Sequence, residues 1–175
     1  NKTRYVLISM GIGGWNPMPA SEVSKKGYGD CKALTNYMRT LLTAAGIPSY
    51  YAIIYNDDSV INFDKDFPKL DGNHVILMVP TEKNDIWLEN TSQRVAFNHL
   101  SYSSHNRNVL AVNENGIQII DTPVYQPEES KEKLIGKIQI AEDGSISSEA
   151  HFEFSGGQYD SSLRLFSLKN DEMID

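Results

Sequence analysis

The chain has 175 residues, enough for one domain with an appendage or two small ones, and its 40% hydrophobic and 22% charged residues exclude a disordered chain. Lys plus Arg total 16 against 23 Asp plus Glu, and the net charge of -7 argues against nucleic acid or anionic lipid as a partner. No apolar run reaches the roughly 20 residues of a membrane span, and the opening NKTRYVLISM lacks the apolar stretch of a signal peptide.

The sequence opens without Met and enters a strand-like run, Tyr5 to Ile8, almost at once, so it reads as a piece of a longer polypeptide carrying flanking domains. GIGGWNPMP, residues 11–19, is too dense in Gly and Pro for helix or strand and is expected as a structured loop. From Cys31 to Ala45, apolar residues fall at Ala33, Leu34, Tyr37, Met38, Leu41, Leu42 and Ala45, the spacing of an amphipathic helix. Asp30 is a good N-cap, and Gly46 followed by Ile47 and Pro48 stops the helix. YYAIIY, residues 50–55, predicts a strand. The stretch NDDSVINFDKDFPKLDGN after it is too broken for regular structure, and its aspartates lack the ligand spacing of a calcium loop, so they read as a solvated surface.

HVILMV (His74 to Val79) and IWLE (Ile86 to Glu89), joined by the polar turn TEKND, predict an antiparallel hairpin. Further strands are expected at Val109 to Val112 and Ile117 to Ile120. A helix followed by an antiparallel sheet is an α+β pattern. Residues 123–133, PVYQPEESKEK, mark a boundary that divides the chain into 1–122 and 123–175. Beyond it, KLIGKIQI and SISSEAHFEF flank the turn AEDG as a second hairpin, and GGQYDSSLRLF starts a helix. This β-rich unit reads as truncated by the chain end.

A single cysteine leaves no internal disulfide and no cysteine metal cluster, so Cys31 is either a small core residue or a reactive thiol. Its place at the first helical position favours reactivity, because a helix N-terminus points unpaired amides and the positive dipole end at an anion. Gly27 and Gly29 let backbone approach the sulfur, and the amide of Cys31 can donate to an oxyanion. Asp30 counts against activation unless its charge is taken up in capping. His74, at a strand start, is either an ordinary hydrogen-bonding residue or a base presented to the helix end. If the strands pair through residues 81–85, His74 and Glu89 are neighbours across the hairpin. Glu89 is then either a solvated strand end or the carboxylate that orients the imidazole.

The run GYGDCKALTNYMRTLLTAAGIPSYYAII, then NHVILMVP, then IWLENTSQ resembles the Cys, His and acid segments of the transglutaminase-like superfamily. That family shows a G-x-x-DCK-like helix start, an HV-apolar strand and a WL-acid-x-T element in this order. The resemblance covers residues 5 to 122. More narrowly, the chain is similar to multidomain bacterial proteins of Bacteroidetes type in which such a domain lies between domains of unknown function. Their opening GIGGW-x-P loop and β-rich domain after the core also fit.

The resemblance implies a papain-like α+β core, with a Cys-bearing helix on an antiparallel sheet that bears the His and the acid. It assigns Cys31 as nucleophile, His74 as base and Glu89 as orienting acid, where the broader family usually has Asp. Trp15 is either a packing lid or lines the substrate channel beside the oxyanion, with Gly29. The implied reaction is attack of a thiolate on a protein or peptide amide, a thioester intermediate, and release to water or an amine, with neither metal nor organic cofactor. Water makes the domain a protease or amidase; a lysine makes it a transglutaminase. Export to the periplasm or cell surface is implied as well. The competing expectation is a non-catalytic interaction or scaffold module of the cell envelope.

Overall fold

The structure is a computed structural model that describes residues 2–8, 14–67, 69 and 71–165. The chain starts in a short strand, β1 (Arg4–Tyr5), shorter than the apolar run Tyr5 to Ile8 suggests. Residues 11–13 of the expected Gly/Pro loop lie outside the described residues. A first helix, α1 (Ala20–Lys26), follows Pro19 and is absent from the hydrophobic pattern because Val23 is its single buried residue. Its signals are terminal instead. Pro19 precedes it, Glu22 lies in the first turn, Lys25 and Lys26 lie in the last, and Gly27 closes it at φ 70°. Strand β2 (Tyr28–Gly29) then pairs in parallel with β1, so that Arg4 and Val6 donate to the carbonyls of Gly27 and Gly29.

Helix α2 (Cys31–Ala44) begins at the residue its N-cap predicts and ends just short of Ala45, with Gly46 at φ 75°. It leads into β3 (Tyr50–Ile54), β4 (His74–Val79), β5 (Ile86–Leu88), β6 (Asn108–Asn113) and β7 (Gly116–Asp121). These form one antiparallel sheet in the order β5-β4-β3-β6-β7. The first and largest unit, Asn1–Pro123, is therefore α+β with a mostly antiparallel sheet and few helices.

The central strands bury side chains of both parities. Ala52, Ile54, Ile76, Met78 and Val109 join Trp87 and Leu100 in one cluster; Ile53, Val75 and Leu110 join Phe63 in another. Near-continuous apolar runs in β3, β4 and β6 follow from that two-sided burial. Each large side chain so buried stabilises the fold by about 1.5–3 kcal/mol. Phe63 comes from the aspartate-rich loop, which Asn108 anchors: its Oδ1 accepts from the Phe63 amide at 2.7 Å and its Nδ2 donates to the Phe63 carbonyl at 3.0 Å.

The second unit, Val124–Asp175, holds the hairpin β8 (Glu132–Ile140) and β9 (Ile146–Phe154), with α3 (Gln158–Leu165) beside β9. Both strands are exposed along nearly their whole length. Among the described residues no helix is long and apolar enough to cross a membrane.

Candidate functional site

Cys31 stands at the first position of α2, half-buried, and packs against the cluster of Ile53, Phe63, Val75 and Leu110. Asp30 caps the helix by accepting from the Ala33 amide at 2.9 Å through Oδ1. Its other oxygen, Oδ2, takes a charge-assisted bond of 2.5 Å from Lys32 Nζ, and both side chains are buried. The carboxylate beside the thiol is thus spent on a cap and on a buried cation. Lys32 was not singled out in the sequence, although it sits in the DCK motif; periodicity ranks a lysine as surface.

Gly29 lies immediately before this cap, and a Cβ added to it would stand 2.7 Å from the Ala33 Cβ. Its role in this geometry is to let β2 run close against the first turn of α2. Trp15 packs against the same cluster as Cys31, half-buried.

His74 opens β4, directly opposite Ile54 of β3. The approach to it is fixed by a reciprocal pair, Asn56 N–H to Asn73 Oδ1 at 2.7 Å and Asn73 Nδ2 to the Asn56 carbonyl at 2.9 Å. Gly72 comes so close to β3 that a Cβ there would meet the Ile53 Cγ2 at 2.5 Å. The His74 ring joins Glu89 Oε2 through Nε2 at 2.8 Å, both side chains being largely buried. Burial works to lower the His74 pKa, but hydrogen bonds and charge from Cys31 and Glu89 outweigh it and raise it to about 9. The Glu89 contact and the nearby Cys31 thus both favour the protonated imidazole.

Glu89 itself lies one residue past β5, and the pairing differs in detail from a direct cross-strand contact. Leu77 faces Leu88 in the last pair of the ladder, and β5 ends there, so Glu89 is not itself a paired strand residue. From just past the strand end, the Glu89 side chain reaches the His74 ring at the start of β4. Glu89 Oε1 is turned by Thr91, whose amide donates at 2.8 Å and whose hydroxyl donates at 2.5 Å. Burial works to raise the Glu89 carboxyl, yet His74 and these Thr91 bonds bring it below its ordinary value.

Asn90, the alternative orienting residue by analogy with papain-like sites, does not take that place. Its Nδ2 donates to Thr35 Oγ1 at 3.2 Å and to the Leu88 carbonyl at 3.3 Å. Thr35, fully buried in α2, in turn donates to the Val75 carbonyl at 3.3 Å. The relay ties the Cys31 helix to the strand of His74 and to the end of β5. Among the described residues there is no group of three or more His, Cys, Asp and Glu side chains that could hold a metal ion. Comparison of the chain with protein-family models, with curated proteins and with solved structures found no match in any of the three.

Proposed function

We propose that unit Asn1–Pro123 is a transglutaminase-like, papain-type domain that transfers or hydrolyses an acyl group on a protein or peptide amide through Cys31, His74 and Glu89. The observation that carries this reading is the 2.8 Å bond between His74 Nε2 and Glu89 Oε2, on a ring whose protonated form Cys31 also favours. The supporting observation is that Asp30 is neutralised by Lys32, so the negative charge next to Cys31 does not oppose a thiolate.

The chemistry runs in two halves. The Cys31 sulfur attacks the carbonyl carbon and the π pair moves to oxygen; on collapse the C–N bond breaks and the amine leaves with the proton of His74. The resulting thioester is attacked by water or an amine, whose proton returns to His74, and Cys31 is released. Glu89 stabilises imidazolium and holds its ring in place. Export to the periplasm or cell surface, and membership of a longer bacterial chain, belong to the same reading.

The test is mass spectrometry of the intact protein. Iodoacetamide at neutral pH should alkylate Cys31 faster than free cysteine, and His74→Ala should slow it to the free-cysteine rate or below. An acyl adduct from p-nitrophenyl acetate should form on the wild type and be absent from Cys31→Ala. No labelling of the native protein would leave Cys31 as a core residue. Labelling without acylation or turnover would favour the scaffold module instead.

A further inference from the structure

Tyr51, the second residue of β3, between Leu77 of β4 and Val112 of β6, takes no part in the mechanism above. It packs against the same cluster of Ile53, Phe63, Val75 and Leu110 that receives Cys31 and Trp15. Its hydroxyl oxygen is buried and has no hydrogen-bond partner. A buried phenol that finds no partner in the protein costs stability until a partner is supplied. We propose that the Tyr51 hydroxyl is a donor to the oxyanion that forms when Cys31 is acylated, an assignment that rests on the acyl-transfer reading above.

The resting geometry favours this role over a bond to the sulfur. Tyr51 and Cys31 pack against the same cluster, yet the phenol makes no hydrogen bond to the sulfur. An acyl oxygen on the sulfur stands two bonds further out, and an acyl group arrives through Cys31, which is half-buried. A donor unpaired in the ground state and paired only when charge develops lowers the barrier without tightening substrate binding. Water exclusion strengthens the interaction. The phenol also keeps its proton, since burial first, and then the charges of Cys31 and Asp30, raise its pKa far above neutrality. A second donor is available beside it: Asp30 caps Ala33, which leaves the Cys31 amide outside the cap. In the step itself the sulfur pair forms the S–C bond and the carbonyl π pair moves to oxygen. Tyr51 donates a hydrogen bond there and transfers no proton.

Tyr51→Phe removes one oxygen and tests the assignment with two probes on the full chain. Alkylation by iodoacetamide builds no oxyanion; acylation by p-nitrophenyl acetate does. The variant should alkylate within about twofold of wild type and acylate about 100-fold more slowly, the usual loss for one oxyanion donor. Its melting temperature should equal or exceed the wild-type value, since an unpaired buried hydroxyl has gone. Acylation at the wild-type rate would overturn the Tyr51 role while leaving the acyl-transfer reading intact. Equal losses in both reactions, or a lower melting temperature, would assign the hydroxyl to the thiol or to the fold and overturn it equally. A wild-type protein that alkylates but does not acylate would overturn the acyl-transfer reading, and the Tyr51 role with it.

Discussion

At the scale of single residues, the protonation of His74 is what the site controls most directly. Its pKa of about 9 lies above the ordinary 6.5, so folding takes up a proton between those values. The stability that His74 contributes is complete below pH 6.5 and is lost as pH rises through about 9. Thermal melts over this window should show falling stability in the wild type and a flatter profile in His74→Gln. In the proposed reaction the same proton serves the leaving group, so acylation by an amide substrate should decline as pH rises through about 9. Glu89→Gln removes a charge that raises this pKa, so the decline should move to lower pH and the rate should drop by at least about tenfold. Asn90→Ala, by contrast, should leave the profile in place and cost about 1 kcal/mol of stability, because Asn90 bonds Thr35 and Leu88 and not His74. A profile displaced by Asn90→Ala and unmoved by Glu89→Gln would reverse the assignment. Lys32→Met leaves Asp30 buried without its cation; it should destabilise by about 3 kcal/mol and slow iodoacetamide labelling of Cys31 at neutral pH.

At the scale of elements, the position of the thiol depends on how closely β2 and α2 meet. A methyl on Gly29 would collide with Ala33, so either the strand or the first turn must move. Gly29→Ala should cost about 1–3 kcal/mol in a denaturant titration, and Cys31 labelling should slow with it. Wild-type stability in that variant would show that the junction has room to relax. The hairpin β4–β5 shows how element geometry decides chemistry: its register fixes which side chains share a level. With β5 ending at Leu88, the Glu89 side chain reaches His74 from past the ladder while Thr91 steadies its far oxygen. Composition and periodicity locate the two strands, but they do not carry that offset.

At the scale of the whole molecule, all of the buried hydrophobic residues among the described ones belong to the unit Asn1–Pro123. A chain ending at residue 123 should therefore keep a cooperative melt and its Cys31 labelling rate. The fragment 124–175, whose hairpin is exposed on both faces, should show no cooperative transition by circular dichroism, as an isolated two-stranded hairpin is marginal in water. A cooperative fragment, or a first unit that unfolds without it, would contradict this division of stability.

The sequence by itself determined α2 with Asp30 as its cap and Cys31 at its start, the apolar strands β3, β4 and β6 with His74 opening β4, and the second hairpin. These follow from local rules: a side chain capping its own helix, a period of 3.6 or 2, a polar turn between apolar runs. α1 stayed hidden because one buried valine gives no periodic signal, and its terminal residues alone define it. The tertiary structure decided how Lys32 balances the charge of Asp30, that Glu89 meets His74 from past the end of β5, that Asn90 braces the helix instead of the imidazole, and that the Tyr51 hydroxyl is buried without a partner in the cluster that receives Cys31. Each of these is a relation between groups that burial and register bring within a few ångströms. Hydrogen bonding and charge depend on that separation and on the exclusion of water, and neither is a property of any one segment.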